Sequence, residues 1–127
     1  MGYRIHYALR DGMLQAAVSG RSHDRAGGHA ERIARDIADE AGRQTVRRVL
    51  IDLRGLADRL GSLGALCMAR GGPARIAGYH VAVVDALEHD AYYALHEIAA
   101  RARGCVLRCF TSAAEAARWL RSTPAPD

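Results

Sequence analysis

Three short apolar runs constrain this chain more than anything else in it. They are RVLIDL at residues 48–53, HVAVVDA at 80–86 and CVLRCF at 105–110. Each is too short for a free-standing helix. Each is continuously apolar rather than alternating, the pattern of a strand buried on both faces. Such strands belong to parallel sheets, and parallel neighbours need long crossovers between them. The intervening sequence has the matching pattern. Ala91, Leu95, Ile98, Ala99 and Ala102 form one helical stripe, with Gly104 as its stop. The Gly-rich segment at 54–79 leaves room for a short helix at about 63–70. After the third run, residues 111–120 predict a helix. Thr111 or Ser112 is its N-cap and Glu115 its first-turn acid. Ala113, Ala116, Ala117 and Leu120 form its buried stripe, flanked by Trp119.

The N-terminal part has a different rhythm. Tyr3, Ile5, Tyr7 and Leu9 alternate with Arg4, His6 and Ala8, and Asp11-Gly12 is a strong turn signal. Leu14, Ala16 and Val18 resume the alternation over residues 13–20, so the start reads as a β-hairpin. Ala30, Ile33, Ala34, Ile37, Ala38 and Ala41 then mark an amphipathic helix. Its outer face carries Glu31 with Arg35 and Asp39 with Arg43 at i, i+4, and Gly42 stands near its end. The predicted order is β-β-α-β-α-β-α-β-α. That is an α/β fold in one domain over residues 1–127, its sheet mixed but mostly parallel, with residues 122–127 as a disordered tail.

Composition excludes several classes of function. Half of the 127 residues are hydrophobic and a quarter are charged, as in a globular domain with its own core. No apolar run approaches the ~20 residues of a membrane span. The first residues carry no apolar signal segment, so the expected location is the cytoplasm. The net charge is +4, and all 18 basic residues are arginine. They are dispersed and mixed with acids, without the basic face and interleaved aromatics of a nucleic-acid surface.

The candidate site lies at the carboxyl ends of the parallel strands, where open α/β sheets bind ligands. Asp52 and Asp85 close two strands there. Arg54, Ser62 and the loop at 69–72 are placed to join them. The competing reading has both carboxylates serving loop amides and helix N-termini. Other motifs carry less. Cys105 and Cys109 lie about 13 Å apart along a strand, too far for a disulfide, and read as small core residues. An odd number of cysteines fits reduced thiols. The Gly-rich loop lacks the phosphate-binding spacings, and no lysine is present. The histidines, His6, His23, His29, His80, His89 and His96, have no ligand spacing that predicts a metal. No cofactor is expected. Leu66, Met68, Leu87, Tyr92 and Tyr93 form a candidate apolar pocket.

As a set, RRVLIDLRGL, YHVAVVD and GCVLRCFTSAAEAARWL resemble the SpoIIAA-like family, which includes STAS domains and anti-sigma-factor antagonists, along with stand-alone bacterial members of unassigned role. The resemblance covers roughly residues 3–120. In the antagonists, an Asp-Leu-Ser-Gly strand leads to an Asp-Ser-Ser-Gly-Leu helix start whose first Ser is phosphorylated. Here Asp52, Leu53 and Gly55 match the strand. Without a gap, Leu60 falls on the Asp position and Gly61 on the Ser position; Ser62 fits after a one-residue slip. The resemblance implies a non-enzymatic regulatory or binding module. It would act through the loop and short helix after Asp52, with Asp52, Arg54, Ser62 and Asp85 at the contact and Ser62 as the candidate phosphosite. It implies a protein partner or a small ligand. The exposed hairpin edge adds a candidate homodimer. The alternative is a carrier of apolar, lipid-like ligands, or an enzyme, with a pocket at the strand ends.

Overall fold

Asp11 and Gly12 both adopt positive φ, 52° and 73°, as a two-residue hairpin turn demands. They join β1 (Tyr3–Arg10) to β2 (Met13–Arg21) in antiparallel register, with Arg10 opposite Met13 and Tyr3 opposite Gly20. This hairpin opens a computed structural model that describes residues 2–21, 28–57, 78–85 and 106–122. The other described elements are α1 (Gly28–Gln44), β3 (Arg48–Ala57), β4 (His80–Val84), β5 (Val106–Phe110) and α2 (Ala113–Ser122). The helices expected at 63–70 and 91–102 lie outside the described residues, as do Ser62, Cys105 and the loop at 69–72. So do all five residues of the candidate apolar pocket.

The five strands form one sheet in the order β1-β2-β3-β4-β5. β2, β3, β4 and β5 are mutually parallel, and β1 is the antiparallel edge. This is the mixed, mostly parallel sheet that the apolar runs predict. α1 packs Ile33, Ile37, Ala38 and Ala41 onto one face, against Leu14, Val18, Val49, Ile51, Val81 and Val83. α2 packs Ala116 and Leu120 onto the other, against Met13, Leu50, Ala82 and Val84. Alternate residues of β3 and β4 therefore enter different cores, which is why neither strand alternates in sequence. Each fully buried Leu or Val contributes about 1.5–3 kcal/mol of burial free energy.

Two of the boundaries that depart from the sequence expectation have a clear physical cause. The first is the end of β3, expected at Leu53 and observed at Ala57. Pairing with β2 resumes after an irregularity: Ala17 faces Asp52, and Ser19 faces Gly55. β3 thus uses one residue more than β2 over this step, a β-bulge. Parity changes across it, so Leu53 and Leu56, three apart, both enter the α1 core. At Gly55 a Cβ would lie 3.2 Å from both the Ser19 Cβ and the Val18 carbonyl oxygen. Asp52 consequently lies inside β3 rather than at its end. The second departure is α1, which passes Gly42 and ends at Gln44, with Thr45 at φ 58°. The Thr45 amide donates to the Gly42 carbonyl and the Val46 amide to that of Ala41, the paired bonds of a Schellman motif.

The opening of α2 resolves the choice of N-cap. Ser112 Oγ accepts from the Glu115 amide at 3.3 Å. The helix runs through Ser122, where the tail was expected to begin; the remaining tail residues lie outside the description. Trp119 packs 5.7 Å from Phe110 and 6.4 Å from His80, measured between ring centroids. Cys109 is half-buried and packs against the α1 core.

Candidate functional site

Asp52 lies on the α2 face of β3, level with Ala17 of β2 and Val84 of β4. Its neighbours on that face are small or apolar, so its carboxylate takes its partner from its own strand. Arg54 Nε donates to Asp52 Oδ1 at 3.0 Å and Nη2 to Oδ2 at 2.7 Å, while the Arg54 amide donates to Oδ1 at 3.0 Å. This fork is the strong form of an ion pair. Only 22% of the Asp52 side chain is accessible, against 49% for Arg54, so the guanidinium is the face shown to solvent.

Burial is the largest influence on the Asp52 carboxyl and pushes its pKa up. The Arg54 fork and amide outweigh it, and a small opposing push comes from Asp85, leaving Asp52 below the ordinary carboxylate range. Asp85 follows the end of β4 and is almost fully buried. Its amide donates to the Phe110 carbonyl of β5 at 2.9 Å. The structure therefore brings Asp52, Arg54 and Asp85 close together where β4 ends. It does not describe Ser62.

Sequence reasoning missed the remaining wall of this site. Gln15 and Ala17 from β2, Leu50 and Asp52 from β3, and Ala113 and Ala117 from α2 line a cavity of about 120 Å³. The signal was available in part: Gln15 and Ala17 occupy the polar or small positions of an alternating strand. Their meeting with the first turn of α2 depends on the layer arrangement. The positive end of α2 borders the same cavity as the Asp52 carboxylate, a favourable electrostatic placement.

No family model and no curated protein matches the sequence. Solved structures do. An anti-sigma factor antagonist from Mycobacterium paratuberculosis matches with a TM-score of 0.59 and 17% identity, over 95% of this chain and 96% of that one. This chain shares that antagonist's fold, a SpoIIAA-like one. An uncharacterized protein of the DUF3478 family with a SpoIIAA-like fold, from Shewanella loihica, matches with a TM-score of 0.48 and 17% identity, over 94% of each chain. Among the described residues, no group of three His, Cys, Asp or Glu side chains is arranged to hold a metal, and no helix is long and apolar enough to cross a membrane.

Proposed function

We propose that the protein is a non-enzymatic, STAS-like regulatory module. It binds a protein partner through the surface around Asp52, Arg54 and Asp85 at the carboxyl ends of the parallel strands. The observation that carries this reading is the Asp52–Arg54 fork, which presents a half-exposed, geometrically fixed guanidinium beside the first turn of α2. A pre-formed guanidinium binds an acidic partner with little further loss of side-chain freedom. The matched anti-sigma factor antagonist makes an anti-sigma factor the first partner to try. In this reading Ser62 is the phosphosite, and the protein acts in the cytoplasm.

The rival reading, a carrier of apolar or lipid-like ligands, has less support. The cavity that the described residues line at the strand ends is about 120 Å³, below the ~300–1,000 Å³ of small-molecule pockets.

The test is a pull-down of anti-sigma factors from the same genome with wild-type protein, Asp52→Ala and Arg54→Ala. The expected outcome is capture by the wild type and a loss in both variants at unchanged melting temperature. Capture that is indifferent to both substitutions removes this surface from the reading. Incubation with ATP and a kinase-type anti-sigma factor tests the switch, and mass spectrometry showing no phosphate on Ser62 ends it.

A further inference from the structure

The free edge of the sheet is the most conspicuous unused surface. Among the described strands, β1 pairs only with β2. Within the described residues, the two exposed large hydrophobic side chains are both on it, Tyr7 at 37% and Leu9 at 52% exposure. They share a strand face with Tyr3 and Ile5, and that face borders a groove of about 330 Å³ shared with Asp36, Asp39 and Arg43 of α1.

The direction of the free backbone groups follows from the hairpin. Arg10 and Met13 flank a two-residue turn and so form a hydrogen-bonded pair across it. The bonding groups of Arg10, Ala8, His6 and Arg4 therefore point toward β2, and the Arg21 amide donates to the Gly2 carbonyl in the same phase. Those of Tyr3, Ile5, Tyr7 and Leu9 point outward. The residues whose backbone groups point away from β2 are thus the ones whose side chains form the apolar face.

We propose that this edge is a homodimer interface in which β1 pairs antiparallel with β1 of a second copy about a two-fold axis at His6. This register opposes Ile5 with Tyr7 of the second copy and Tyr3 with Leu9, so both exposed apolar side chains gain an apolar partner. It opposes Arg4 with Ala8. A pairing centred on Tyr7 sets Arg4 against Arg10 of the second copy, and like charges directly opposite are destabilising. A pairing centred on Ile5 sets Arg4 against His6 and moves Leu9 past the end of the partner's β1. Registers centred between residues lay an apolar face on a cationic one.

The groove is self-complementary in the same arrangement. Tyr3 bonds to Asp36, while Tyr7 feels Glu40 and Arg43 as well as Asp36, so α1 runs alongside β1 in the same direction. A two-fold axis reverses the second α1. The Arg43 end of each groove then faces the Asp36 end of the other, placing opposite charges together. The surface is closed and isologous, so pairing stops at two chains. It lies across β2 from the Asp52 surface, and the proposal stands or falls independently of that one.

Light scattering and a cysteine at the axis test the proposal. The wild type is expected at twice 13.7 kDa, with Leu9→Lys at the single-chain mass and an unchanged circular-dichroism spectrum. His6→Cys is expected to form a disulfide-linked dimer under mild oxidation, at least about tenfold faster than Arg4→Cys or the wild type, because opposed Cβ atoms of a non-hydrogen-bonded antiparallel pair lie only ~4.5–5.5 Å apart. A wild type that is monomeric at every soluble concentration overturns the proposal. So does a dimer that Leu9→Lys leaves intact, or cross-linking that is faster at position 4 than at 6.

Discussion

Thr45 holds a conformation that suits it poorly. A β-branched residue at φ 58° carries the steric cost of the left-handed region, which glycine does not. It persists because the Schellman bonds and the packing of Val46 against the α1 core fix the chain on both sides. Thr45→Gly keeps those bonds and removes the clash. The expected outcome is a gain of about 1 kcal/mol in stability, read as a higher urea midpoint at unchanged slope. Sequence reasoning placed Gly42 at the end of this helix because glycine is the usual stop, and could not see that the hydrogen-bonded cap lay three residues on. At the same scale, Asp39 was matched with Arg43 by i, i+4 spacing. In the structure the Arg43 guanidinium forks onto Glu40, which also accepts from Gln44. Spacing says which carboxylates are within reach, and side-chain rotamers choose among them.

Elements were most legible where burial alone decides them. β3, β4 and β5 are strands because their side chains fill two cores at once, and no other element suits so short and so apolar a segment. α2 was legible except for the choice between Thr111 and Ser112 as its cap, and its stripe of Ala116 and Leu120 is what the fold buries. Leu120 anchors that helix: it is fully buried against Met13, Leu50 and Val84. Leu120→Ala should cost about 2–5 kcal/mol, the range for emptying a packed leucine site. Equilibrium unfolding followed by Trp119 fluorescence checks it, since Trp119 reports on the same layer. The end of β3 was not legible. Leu53 and Leu56 are three apart, which breaks a period of two, and only the pairing with β2 across the bulge shows that the strand continues. Asp52 and Arg54 were singled out because a carboxylate closing an apolar run stands out. Their mutual fork was not, because a regular strand gives no reason for it.

For the whole molecule, the titrating groups bracket a window of maximum stability. Burial, reinforced by Arg48, lowers the pKa of His80, so the unfolded chain takes up protons there before the native state does. Stability should therefore fall as pH drops below about 6.5. Asp52, depressed by Arg54, adds a second loss at lower pH, as the native carboxylate is finally protonated. On the alkaline side, burial and the carboxylates of Asp36 and Glu40 push Tyr7 up to about 12. The unfolded phenol ionises first, near 10, so stability declines as pH rises above that value. Thermal melts across pH should show a plateau between roughly 7 and 10, with His80→Gln flattening its acid side. Tyrosinate absorbance should show a late-ionising phenol that Tyr7→Phe removes.

The extra residue in β3 has a consequence for how this chain tolerates change. Leu56 returns to the interior because Ser19 pairs with Gly55 rather than with Arg54, so one residue of β3 has no counterpart in β2. Swapping the side chain of Arg54 alters a surface. Deleting that residue would leave a single position between Leu53 and Leu56, and plain alternation would keep both inside. Over those few positions the chain is read by counting, and the bulge is where it absorbs one residue more than its partner strand holds.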